Sequence, residues 1–150
     1  MWVACETWDF GALCRLMGLM RTSDAIAVAR SVGIVNGRLI VHIAEGLNIV
    51  RNISAHHGRL WNRSLTHVMR SHRPEDVPDD LRHCASHPER ANVYPWLVWL
   101  AYLSRAFDPD VEFAARVREL VLTLEPTTGF SPVSNMGFPP DWTYQAVWQD

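Results

Sequence analysis

The sequence contains no lysine: all fourteen of its basic residues are arginine. Compositional drift in a GC-rich genome produces that bias as readily as function does, so it assigns no site by itself. Cysteine is scarce. Cys5, Cys14 and Cys84 are odd in number and dispersed, too few for a disulfide framework, and read as reduced thiols. No long hydrophobic run is present either. The longest, Val93 to Leu103, falls short of the ~20 residues a membrane helix needs and has Pro95 inside it. Near the start, Glu6 and Asp9 arrive before any basic segment followed by an apolar run. No signal peptide is read there, and the cytoplasm is the expected location.

Acid is missing from one long interval. Between Glu45 and Glu75 there is no aspartate or glutamate, while Arg51, Arg59, Arg63, Arg70 and Arg73 and the histidines His56, His57, His67 and His72 all fall there. The net charge of −2 argues against a general nucleic-acid-coating protein, but the average hides this basic island. A solvated basic face is the plain reading and a phosphate-facing surface the sharper one.

What is present points to a globular chain. With 48% apolar and 20% charged residues over 150 positions, and a mean hydropathy of −0.07, the sequence fits a single domain spanning 1–150. Folding would bury roughly 70% of the surface the unfolded chain exposes. Trp8, Leu13, Leu16, Met17 and Met20 recur at helical spacing and predict a helix over about Val3 to Met20. Ser23 or Asp24 is positioned to cap a second, Ala-rich helix to about Val32, closed by Gly33 and the Asn36-Gly37 pair. From Arg38, the residues Leu39, Ile40, Ile43, Leu47, Val50 and Ile53 spread over more than one face. That pattern predicts a central helix over 38–56, the most buried of the set. Pro74, Pro78, Pro88 and five acids predict a mobile surface loop over 73–90. Val93 to Phe107 and Val111 to Leu124 predict a helical hairpin about Asp108-Pro109-Asp110, with Asp108 capping and Pro109 starting its second arm. The tail after Pro126 predicts an extended segment on the bundle. The fold class is all-α.

The chemistry-bearing stretch is Leu47 to Arg63. At about 100° per residue, Asn52 and His56 lie about 40° apart on one helical face, whereas Arg51 and His56 lie about 140° apart. Placing both on one phosphate needs a helix distortion near Ala55 or two copies of the segment facing each other. An arginine on a buried helix also needs a counter-charge. Metal-free RNA cleavage needs a base, an acid and a cation on the phosphorane, and histidine and arginine suit those tasks. The bland alternative pairs Arg51 with Glu6 or Glu45 and leaves the histidines as caps of the helix C-terminus.

Arg51-Asn52, Ala55-His56-His57 and Arg59-Leu60-Trp61-Asn62-Arg63 resemble the signature of the Abi-like, abortive-infection family. Trp2, Glu6, Phe10, Gly11 and Leu13 near the start, and Gly137, Phe138, Pro139, Trp142 and Trp148 near the end, extend the resemblance. It implies a helical bundle of the HEPN type, with Arg51 and His56 catalytic and Asn52 assisting. Glu6 and His57 are then expected to support the site, Glu6 by orienting Arg51 or His56, and Arg59, Asn62 and Arg63 to bind RNA. The implied activity is a metal-independent endoribonuclease of phage-defence or toxin type, without cofactor, acting on host or phage RNA with tRNA as one candidate. The implied assembly is a homodimer, with an antitoxin or an upstream-encoded partner as a further associate and no membrane contact. Family members extend upstream of the Trp-x-x-x-Glu helix, so the chain is expected to be the C-terminal part of that length, lacking at least one helix. Two other readings stay open: a non-catalytic RNA-binding or regulatory HEPN module, and a structural fragment completed by a partner.

His83, Cys84 and His87 lack a second ligand pair and read as a polar loop rather than a metal site. Trp96, Trp99 and Tyr102 share one helical face and read as core.

Overall fold

A computed structural model describes residues 9–149. Among them the architecture is helical throughout, the sole extended pairing being an isolated bridge between Thr127 and Phe130. The elements arise from local signals. Asp9 adopts an extended conformation and its Oδ1 accepts from the Ala12 N–H at 2.6 Å, which starts α1, Phe10–Leu19. The portion of the expected helix before Asp9 lies outside the described residues. Helix α2, Thr22–Ser31, starts after Arg21 with no side-chain cap; Ser23 and Asp24 bond each other inside its first turn. Helix α3, Gly37–Ala55, is the expected central helix. Asn36 caps it by accepting from the Arg38 and Leu39 N–H groups at 3.0 and 3.3 Å. The Asn36-Gly37 pair therefore opens α3 as much as it closes α2.

The core gathers around α3 and α4, Tyr94–Phe107. Ile43 is fully buried and Leu47 8% exposed, as the multi-faced pattern requires. Burial is nevertheless shared: Tyr94, Trp96, Val98 and Trp99 of α4 are also fully buried. Gly46 makes the approach possible. A methyl at that position would lie 2.0 Å from the Trp96 ring, so the indole rests directly on the α3 backbone. Pro95 is tolerated because it occupies the first turn of α4, where no intrahelical donor is required. Trp96 and Trp99 are core, as read from their spacing. Tyr102 is half-buried and donates its hydroxyl to the Val32 carbonyl at 2.8 Å.

Three expectations are corrected. Residues 73–90 are not a loose loop. They form two 3-10 turns, Pro74–Asp76 and Asp79–Cys84, and bury Asp76, Val77, Leu81, Cys84, Ala85 and His87. The prolines and acids that suggested a loop start and pin these turns. Arg73 forks onto both Asp76 oxygens, and Arg105 of α4 pairs with Asp80. Second, the partner helix α5 is Phe113–Leu122 and starts after Glu112, not at Pro109, because Asp108 spends its carboxylate on the Asp110 N–H within the connection. Third, the tail is coiled rather than extended. It contains α6, Pro132–Asn135, and the 3-10 turns Trp142–Tyr144 and Ala146–Trp148. It buries Phe138, Trp142, Val147 and Trp148 in an aromatic cluster with Tyr94, ring centroids 4.7 to 6.4 Å apart. No helix of the described residues is long and apolar enough to cross a membrane.

Candidate active site at the end of the central helix

Val50 is the last fully buried residue of α3; beyond it only Ile53 still packs on the core, and Arg51, Ser54 and Ala55 face solvent. Arg51 is consequently exposed, which corrects the expectation of a buried arginine in need of an internal counter-charge. It pairs with no acid among the described residues, Glu45 included, and instead donates from Nη1 to Asn52 Oδ1 at 2.9 Å. That bond has a directional consequence. Asn52 lies about 40° from His56 around the helix, so the bond ties the guanidinium to a residue on the histidine's face, while Arg51 and His56 themselves stay about 140° apart at the backbone.

The helix stays regular through Ala55, and His56 is its C-cap, its N–H still bonded to the Asn52 carbonyl at 3.1 Å. No distortion near Ala55 brings Arg51 and His56 together. A Schellman motif ends the helix: Gly58 N–H bonds the Ile53 carbonyl at 2.7 Å and His57 N–H the Ser54 carbonyl at 3.0 Å. His57 takes the left-handed position usually given to glycine, with φ 53°. Gly58 is the residue the geometry cannot replace, since a methyl there would meet Ile53 Cγ2 and its carbonyl oxygen at 2.8 Å. His56 and His57 are thus both exposed at a tightly closed helix end. Just past it, the Arg59 guanidinium lies 5.1 Å from the Trp61 ring centroid, and Trp61 meets Phe130 edge-on at 5.7 Å. Asn62, with φ 50°, and Arg63 come next, both exposed. Arg51, Asn52, His56 and His57 are thus brought to one helix end, with Arg59, Asn62 and Arg63 on the turn that leaves it. Glu6, expected to orient Arg51 or His56, lies outside the described residues.

The motif pattern gave no sign of His42. It is 4% exposed, and its Nε2 accepts from the Arg70 N–H at 3.2 Å. His67 stacks on it at 4.2 Å and donates from Nε2 to the His42 carbonyl at 3.1 Å. Two histidines thus fasten the segment after α3 back along the helix. Burial and the neighbouring His67 and Arg70 charges push the His42 pKa down to about 4, keeping it a neutral acceptor. His42, Glu45 and His67 do place three possible ligand atoms within 4.8 Å of one another. The set does not fit a metal as it stands. Rings 24° from parallel aim their in-plane lone pairs alongside rather than at a common point, and His42 Nε2 is committed to an N–H donor, leaving its proton on Nδ1. The fastening is made by His42, His67 and the Arg70 N–H, residues far apart in sequence, so no local spacing announces it.

His83, Cys84 and His87 likewise prove structural: His83 Nε2 bonds the Tyr94 hydroxyl at 2.9 Å, and burial pushes the Cys84 thiol up to about 12.

No curated protein and no solved structure matches the chain. Residues 1–62, which include Arg51, Asn52, His56 and His57, match the model of the Abi-like protein family.

Proposed function

We propose that the protein is a metal-independent endoribonuclease of phage-defence type, acting through Arg51 and His56 with Asn52 positioning the guanidinium. The observation that carries this reading is the solvent-facing group at the end of α3: Arg51 tied to Asn52, which shares a face with His56, with no acid of the described residues bonded to Arg51 or His56. A core role would have buried these side chains. In the reaction, His56 takes the proton of a ribose 2′-OH, whose oxygen attacks the adjacent phosphorus in line. Arg51 balances the charge gathering on the phosphorane oxygens. The P–O5′ bond breaks, the 5′-oxygen leaves with a proton from a second acid, and a 2′,3′-cyclic phosphate remains. A histidine of a second copy supplies that acid, because the regular helix leaves one copy's pair offset; the active unit is a homodimer.

Arg51→Ala and His56→Ala are each expected to lower RNA cleavage about 100- to 10,000-fold, the usual span of a proton-transfer group. His56→Ala should unfold at the same denaturant midpoint as the parent, since its ring is exposed. Cleavage that survives His56→Ala in a folded protein would reject the assignment and favour an RNA-binding module without catalysis.

A further inference from the structure

The segment that returns from the site to the start of α3 carries Arg59, Arg63, Arg70 and Arg73, all exposed. Its far end opens on a cleft of about 430 Å³ between the first turn of α3 and residues 70–76, lined among others by Asn36, Arg38, Arg70, Arg73 and Asp76. The charges in this cleft do not balance. Asp76 is its one carboxylate, and both of its oxygens are taken by Arg73, which holds it well below the usual carboxylate range. Arg38 and Arg70 have no side-chain hydrogen bond or ion pair among the described residues; both also border a neighbouring pocket with Glu45, whose carboxylate bonds neither. Their backbones are held in place. The Arg70 backbone is held by buried His42, and Arg38 sits in the first turn of a capped helix. The first-turn amides of Arg38 and Leu39 are already spent on Asn36, so the cleft offers guanidinium donors and not a bare helix terminus.

Two like charges anchored at the rim of one cleft repel each other unless an anion enters. A phosphate oxyanion matches both the sign and the forked donor geometry of arginine. We infer that the Arg38–Arg70 cleft binds a phosphate group of the RNA strand, away from the scissile bond, and rests in this on the ribonuclease reading. Arg38 lies thirteen positions before Arg51 on α3, about 20 Å along the axis. The two sites therefore engage different nucleotides, with the arginines of the return segment between them. The cleft contributes affinity and register, and leaves the chemical step to the other end of the helix.

The test uses the full chain and an Arg38→Gln/Arg70→Gln double variant. Both residues are exposed, so the variant is expected to fold, which circular dichroism checks. In a His56→Ala background, binding of a single-stranded oligoribonucleotide long enough to span α3 should weaken. Its salt dependence should become shallower by about 0.7 in log–log slope for each phosphate no longer held. A dinucleotide, too short to reach the cleft from the site, should be unaffected. In the otherwise native chain, KM for the long RNA should rise while kcat holds. A second arm titrates inorganic phosphate against the arginine side-chain NMR signals, of which those of Arg38 and Arg70 should move saturably. If the parent binds RNA and the double variant shows the same slope, the cleft assignment is overturned and the nuclease reading stands. If the parent binds no RNA but phosphate moves the Arg38 and Arg70 signals, the cleft stands as a phosphate site and the nuclease reading falls. Neither response would overturn both.

Discussion

Single side chains decide the character of this helix end. Arg51 illustrates what a pattern of residues can and cannot convey. Its neighbours Leu47 and Val50 are buried and spaced as core residues, so the sequence implies a buried arginine. Only the position of the last fully buried residue, Val50, reveals that this side of the helix runs on into solvent. The motif residues were legible because each carries chemistry in its own side chain; their burial was not, because burial is set by elements far away in sequence. Gly58 is where the local geometry is least tolerant. Gly58→Ala should lower stability by about 1–3 kcal/mol, the usual range for forcing a methyl into a filled space. His57→Gly should raise it by about 1 kcal/mol by removing a left-handed non-glycine residue. Urea unfolding of the two variants checks the pair; a neutral Gly58→Ala would mean the Schellman ending is not formed.

At the scale of elements, the helices were legible and their caps and packing partners were not. The capping expected of Ser23 or Asp24 and of Asp108 is not made, while Asp9, read as lying inside a helix, and Asn36, read as closing one, are the residues that accept from first-turn amides. The stretch 73–90 misleads because proline and acid are the residues of loops, while Val77, Leu81 and Cys84, which do the packing, are too sparse to form a helical stripe. The contact of α3 with α4 was half legible: the indole was expected in the core, but not the glycine beneath it. Gly46→Ala should cost at least about 2 kcal/mol, since the Trp96 ring has no room to move in a filled core. A denaturant midpoint equal to the parent's would contradict that packing. The return segment gives a second test at this scale. His42 is neutral in the folded chain, with a pKa near 4 against 6.5 for a free histidine. The unfolded chain therefore binds the extra proton, and stability should fall as pH drops from about 6.5 toward 4. Burial lowers His72, His83 and His87 in the same direction and adds to the slope. His42→Gln keeps an acceptor without a titrating group and should flatten part of that loss between neutral pH and about pH 5, measured by urea unfolding. An unchanged slope would mean His42 is not the fastening described.

For the whole molecule, the all-helical class came from periodicity, and the Abi-like resemblance from residues near the start, along the central helix and in the tail, of which the family model covers those through Asn62. The coiled path of the tail and the meeting of Arg38 with Arg70 had no local signal, because each depends on contacts between segments distant in sequence. Folding turns the acid-free interval into a return path along α3, between Arg51 at one end of the helix and the Arg38–Arg70 cleft at the other, none of the three in an ion pair among the described residues. The central claim is that the group at the C-terminal end of α3 cleaves RNA by attack of the neighbouring 2′-OH. The most direct measurement is the chemical identity of the ends produced from a defined RNA in the presence of EDTA, with His56→Ala protein run beside the parent. The account predicts 2′,3′-cyclic phosphate and 5′-OH ends from the parent and none from the variant. Products with 3′-OH ends, or cleavage that appears only on adding a divalent metal, would contradict it.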